Sequence, residues 1–236
     1  MAKSKDVVGY GLALASGNPL GAAAVAFGVL EDHVKQWREE RVARWWKRLT
    51  EDPSWETPQE VQGIIEVALQ ESADARETVW TAAKELIDAV ALEAVEVIGS
   101  ITAEYLRDKR PVDVFFRGSV RMLADLSSVE LASLRVLSTA IDQVPDDPVL
   151  VIEKEGRLNI RKVSSPHPVS QGIEIGDVRR LFRLVKANDL GDEHQGGKYD
   201  APTGPTVLVP NKAHFHRLCR HLGSVVIRGD AQPTTG

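Results

Sequence analysis

The chain has 236 residues, 43% hydrophobic and 27% charged, with a formal net charge of -5. That composition excludes a wholly disordered chain and the strongly basic body of a protein that relies on phosphate contacts. Residues 1–127 hold 15 Lys/Arg against 21 Asp/Glu, and residues 128–236 hold 14 against 13, so the first half is acidic and the second near neutral. The single cysteine, Cys219, allows no intrachain disulfide, which fits a reducing cytoplasm.

After a short polar tail, Val7–Leu30 runs for 24 residues without a charge. Its length suffices to span a bilayer, but five glycines and the Gly17-Asn18-Pro19 break divide it into two short pieces. The expectation is a small-residue helical hairpin turning at Asn18-Pro19-Leu20. It has three candidate surroundings: the chain's own core, another copy, or a membrane surface. A secretory signal is disfavoured, because the apolar run is too long and is interrupted.

Residues 31–50 read as an amphipathic helix. Val42, Trp45, Trp46 and Leu49 fall at i, i+3, i+4 and i+7, on one face. Tryptophans among arginines suit an interfacial helix or a partner-binding one, which makes Trp37, Arg41, Trp45, Trp46 and Arg48 the candidate membrane or partner surface. Thr57, Pro58 and Glu60 form a helix start, predicting a helix to about Leu69.

A long helix is expected from Ala73 to Arg107, with Ser72 or Asp74 as its cap. Val79, Ala83, Leu86, Val90, Ala94, Val97, Ile101 and Tyr105 form its stripe, and Trp80, Ile87 and Ile98 widen it. Such breadth predicts burial on most sides in a bundle. Gly99-Ser100 marks a kink or a close helix contact. Pro111 begins another helix. Ser127 and Glu130 form a second capping box before "ELASLRVLSTAI".

The pattern then changes. "VLVIEKEGRLNIRKV" reads as a β-hairpin around Glu155-Gly156. A helix follows in "EIGDVRRLFRLVKANDLG", then a flexible loop "DEHQGGKYDAPTGP" and a short strand "TVLVP". The helix "NKAHFHRLCRHL" ends at Gly223, and "SVVIR" reads as a last strand. The fold class expected is mainly α, an N-terminal helical bundle followed by a small α+β winged-helix-like unit. The divisions are 1–30 hairpin, 31–127 bundle, 128–228 winged-helix-like unit and 229–236 tail.

His214, His216, Cys219 and His221 are all metal-ligand types, but helical spacing lets only His216 and Cys219 share a site. Phe215, Leu218, Cys219 and Leu222 form an apolar stripe that puts Cys219 in the core, so no metal is expected. Arg179, Arg180, Arg183 and Lys186, with Arg161 and Lys162 on the hairpin, would be the contacts of a DNA-binding winged helix. The near-neutral charge of this half disfavours that reading. No P-loop, nucleophile elbow or dinucleotide fingerprint is present, and most carboxylates are expected on helix surfaces. No cofactor or catalytic residue is therefore assigned.

The segment "EAVEVIGSITAEYLRDKRPVDVFFRGSVRMLADLSSVELASLRVL", and "ADLSSVELASL" (Ala124–Leu134) above all, resembles the uncharacterised abortive-infection alpha (Abi-alpha) type of bacterial proteins. The resemblance implies a role in phage defence and supplies no catalytic residues. The leading expectation is a non-enzymatic interaction or assembly protein that binds a protein partner or itself. It would be cytoplasmic, with a peripheral position at the inner membrane left open. The alternatives are a DNA-binding winged-helix regulator and an enzyme whose site is not visible in sequence.

Overall fold

Proline lacks an N–H and has its φ pre-set, so it suits the first turn of a helix. Pro19 takes that place in the computed structural model, which describes residues 19–51, 70, 72–144, 149–154, 157–162, 173–174, 178–195 and 206–225. Helix α1 (Pro19–Thr50) is continuous, so the helix expected from residue 31 starts twelve residues earlier. The alanine-rich run Ala22–Ala24 favours that continuation. The first arm of the expected hairpin lies outside the described residues, as do the helix expected after Thr57, the turn at Glu155-Gly156 and the body of the strand "SVVIR".

The chain divides into two compact units between Ala43 and Arg44. In the first, Arg41 donates to the Trp37 carbonyl at 3.3 Å, and its guanidinium lies 3.3 Å from the centre of the Trp37 ring.

In the second unit, the helix expected over 73–107 is two helices, α2 (Ala73–Asp88) and α3 (Leu92–Arg107). Ser72 caps α2, accepting from the Ala75 N–H. The break at Ala89–Ala91 has a backbone cause. The Val90 N–H leaves the helix ladder and donates to the Ala124 carbonyl at 2.9 Å. Gly99 therefore marks a close contact and not the kink. A Cβ there would lie 3.1 Å from the Arg48 Cβ and 3.2 Å from the Trp45 carbonyl oxygen.

Helix α3 is the centre of the bundle, with every residue from Glu93 to Leu106 buried except Glu96. Helix α4 (Val114–Ala124) starts after the Asp113 cap, two residues beyond Pro111, and Asp113 accepts from the Phe116 N–H. The Val90–Ala124 bond joins the C-terminal ends of α2 and α4, and α3 packs on both. Helix α5 (Ser128–Asp142) opens on the expected capping box of Ser127 and Glu130.

Strands β1 (Val149–Lys154), β2 (Arg157–Lys162), β3 (Ile173–Glu174), β4 (Gly191–Gln195) and β5 (Thr206–Pro210) form one antiparallel sheet in the order β3-β2-β1-β5-β4. β1 and β2 are the expected hairpin. β4 falls where a flexible loop was expected. "GDEHQ" has little strand preference, and pairing with β5 from Gly191↔Pro210 to Gln195↔Thr206 imposes the extended form. Helix α6 (Val178–Ala187) packs on β4 and β5, and α7 (Lys212–Gly223) packs on α5 and α3. The architecture is mainly α, a helical bundle followed by a small α+β winged-helix-like unit whose ribbon is widened to five strands.

Candidate functional site

Ser100 and Glu104 stand one turn apart on α3. Arg217 and His221 stand one turn apart on α7 and face them. The Glu104 carboxylate is acceptor-only, so His221 Nε2 carries the proton and donates to Glu104 Oε2 at 2.8 Å. His221 Nδ1 lies 3.0 Å from Ser100 Oγ. Arg217 Nη2 donates to Glu104 Oε1 at 2.8 Å, and Arg110 Nη1 lies 3.3 Å from the same oxygen. The bond from His221 holds the Glu104 carboxyl down at about 2 against the opposing effect of burial, with Arg217 adding to it.

A hydroxyl, an imidazole and a carboxylate in sequence are the parts of a nucleophile, its base and an orienting acid. Here they are sealed. Ser100 is 4% exposed and His221 7%, which leaves a substrate carbonyl no approach to the hydroxyl. Ser100 also sits inside a helix, where the N–H groups that would stabilise an oxyanion are already spent on the ladder. What the arrangement does is latch α7 to α3.

A second group adjoins it. Tyr105 donates to Asp113 Oδ1, which also accepts the Phe116 N–H at 2.8 Å. Burial, helped by Asp113, pushes the Tyr105 phenol above its ordinary range. The Arg217 guanidinium lies 4.0 Å from the centre of the Phe115 ring, and the His214 ring lies 5.4 Å from the same centre. Burial lowers the pKa of His214.

The four ligand-type side chains of α7 thus go to separate partners. His214 meets Phe115, His216 pairs with Asp142, Cys219 Sγ lies 3.8 Å from Thr139 Oγ1, and His221 meets Glu104. Among the described residues no three His, Cys, Asp or Glu side chains gather to hold a metal ion. Cys219 is only half-buried, at the edge of the α5–α7 contact and not in the core. The expectation that carboxylates stay on helix surfaces also fails for three of them. Glu93, Glu104 and Glu153 are buried, each with a partner: Ser128 at 3.1 Å, the His221 and Arg217 pair, and Arg179 at 3.0 Å. Burial of a carboxylate is tolerable when it is paired in this way.

The candidate surface of α1 divides. Trp45 is buried, with its Nε1 3.5 Å from Thr102 Oγ1, and Arg48 is half-buried, donating to Ser224 Oγ at 2.7 Å. Trp46 is 38% exposed while Trp45 and Leu49 are buried, so the stripe expected to share one face does not; Trp37 and Val42 are exposed and Arg41 is buried. The candidate basic set also divides. Arg179 pairs with Glu153, and Arg180 pairs with Glu130 and donates to the Asp125 carbonyl at 3.0 Å. Arg161, Arg183 and Lys186 are exposed, and Lys162 is half-buried.

Trp80 and Val90 were expected inside the bundle, and both are outside. Trp80 is 73% exposed. The break after Asp88 makes α2 a peripheral helix, with Ala75, Thr78, Ala82 and Leu86 as its inner face. Around Trp80 on the outer face stand Arg76, Glu77, Lys84 and Asp88. Glu77 is held by Arg117 of α4 at 2.5 Å. Among the described residues no helix is long and apolar enough to cross a membrane. Compared with known proteins, the chain matches no protein-family model, no curated protein and no solved structure.

Proposed function

We propose that the protein is a non-enzymatic interaction and assembly module, presenting a tryptophan-centred helix face to a protein partner. Trp80 carries the reading. Burying a large apolar side chain is worth roughly 2–3 kcal/mol, and this one is left in water. Tryptophan is the side chain most enriched at binding hot spots, where a polar rim surrounds it. Arg76, Glu77, Lys84 and Asp88 supply such a rim. The one Ser–His–Glu grouping described above is closed to substrate, which favours binding over catalysis.

The setting proposed is the cytoplasm, with peripheral docking at the inner membrane through the exposed Trp46. Phage defence is proposed from the Abi-alpha resemblance. The pairing of Arg179 and Arg180 with carboxylates speaks against DNA binding through α6. Photo-crosslinking tests the main reading. Benzoylphenylalanine in place of Trp80 is expected to give a discrete adduct in cells, absent when it replaces the exposed Val136. Equal adducts from both positions, or none from either, would sink it.

A further inference from the structure

The sheet has one face for its own helix and one that is apolar for another reason. The Glu153–Arg179 ion pair fixes the inner face, with Val149, Val151 and Glu153 of β1 buried on the side where α6 packs. Residues of opposite parity carry the outer face. Leu150 and Ile152 of β1 and Val207 and Val209 of β5 all lie half-buried there. A sheet wetted on one side alternates apolar with polar residues. Leu150 and Ile152 of β1 and Val207 and Val209 of β5 break that alternation, which leaves four aliphatic side chains in the middle of the outer face, with the exposed Lys154 at the end of β1.

The register adds a pattern of charge. Arg161 of β2 stands opposite Leu150, and Asp192 of β4 stands opposite Val209. Both charged residues are exposed. Across β2-β1-β5-β4 the face therefore reads basic, apolar, apolar, acidic. One row along, Asn159, Ile152 and Val207 stand in line.

We propose that this face pairs with the same face of a second copy, about a two-fold axis that runs along the strands midway between β1 and β5. That rotation exchanges β2 with β4 and β1 with β5. It sets Arg161 over Asp192 of the second copy, Leu150 over Val209, and Ile152 over Val207. A two-fold axis across the strands would stack β2 on β2 and Arg161 on Arg161, and like charges facing each other are disfavoured. The contact is isologous and closes at two copies, with the sheets packed about 10 Å apart as in a sandwich. The proposal rests on the assembly reading and names its partner as the chain itself, on a surface separate from Trp80.

Sedimentation equilibrium of the full chain over a concentration series tests it. A dimer is expected, with Arg161→Asp and Asp192→Arg each raising the dissociation constant by about tenfold or more. The double variant, which exchanges the two charges, is expected to restore the dimer. Ile152→Lys is expected to give a monomer, with circular dichroism confirming that it is folded. A native monomer, a dimer indifferent to both single reversals, or single losses that the double variant does not repair would each overturn the pairing. A native monomer that still crosslinks at position 80 would sink the sheet pairing alone. A dimer lost with Trp80→Ala and not with the charge reversals would place the contact on α2 instead.

Discussion

The Glu104 carboxylate and the His221 imidazole, 117 positions apart in sequence, meet at 2.8 Å inside the contact between α3 and α7. The same carboxylate takes Arg217 at 2.8 Å. Removing one member of a buried charged network leaves the others desolvated and unpaired, which costs about 3–5 kcal/mol. Glu104→Ala is expected to lose stability in that range in urea denaturation. Glu104→Gln, which keeps an acceptor for Arg217, is expected to lose less. A loss below about 1 kcal/mol for the alanine variant would mean that apolar contacts alone hold α7.

The same residue sets an acid limit. Glu104 titrates at about 2 in the folded chain against 4.5 for the ordinary group. A depressed carboxylate stabilises the fold fully above its unfolded pKa, and the gain is lost as pH falls through the folded one. The window is therefore pH 4.5 down to 2, and the shift is worth on the order of 3 kcal/mol. Other carboxylates add a slope common to both proteins. The stability difference between the native chain and Glu104→Gln is expected to shrink across that window and nearly vanish near its lower end. A difference constant with pH would show that the carboxylate is not the group responsible.

Local chemistry was legible and long-range pairing was not. Ser127 and Glu130 announce α5 three residues apart, and the β-branched runs around Glu155-Gly156 announce the ribbon. The latch escaped because its two halves, Ser100 with Glu104 and Arg217 with His221, each look like ordinary polar pairs on a helix. Only the packing of α7 on α3 makes them one group. Polar residues at i, i+4 within the broad apolar pattern of α3 were the available signal, because a helix buried all round must pair what it buries. The break at Ala89–Ala91 has no glycine or proline to betray it. A tertiary bond from Val90 to Ala124 makes it, and with it α2 becomes an outer helix and Trp80 a surface residue. β4 is likewise made by its partner β5, against the preference of its own residues.

Two glycines are expected to behave oppositely. A Cβ on Gly118 of α4 would lie 2.1 Å from the Asn188 carbonyl oxygen, just past the end of α6. That contact is with backbone, so an element must move. Gly118→Ala is expected to lower stability by about 1–3 kcal/mol through overpacking. Gly223, at the end of α7, has nothing within 4 Å of the same position. Gly223→Ala is expected to be neutral or to stabilise by up to about 1 kcal/mol, by restricting the unfolded chain. Thermal denaturation of the two variants side by side checks the ordering, and equal effects would contradict the close approach of α4 to Asn188.

Exposure also separates the aromatic side chains by what they do for the fold. Phe116 is fully buried, with its ring 4.6 Å from that of Tyr105. Truncating such a side chain removes its transfer energy and leaves a cavity, so Phe116→Ala is expected to cost about 3–5 kcal/mol. Trp80 is larger, but at 73% exposure it has little burial to lose. Trp80→Ala is expected to change stability by no more than about 0.5 kcal/mol, as surface substitutions do. Both are measurable from one urea series with unchanged slope. A loss at Trp80 comparable to that at Phe116 would mean that the tryptophan serves the fold, and the surface proposed for partner binding would lose its central residue.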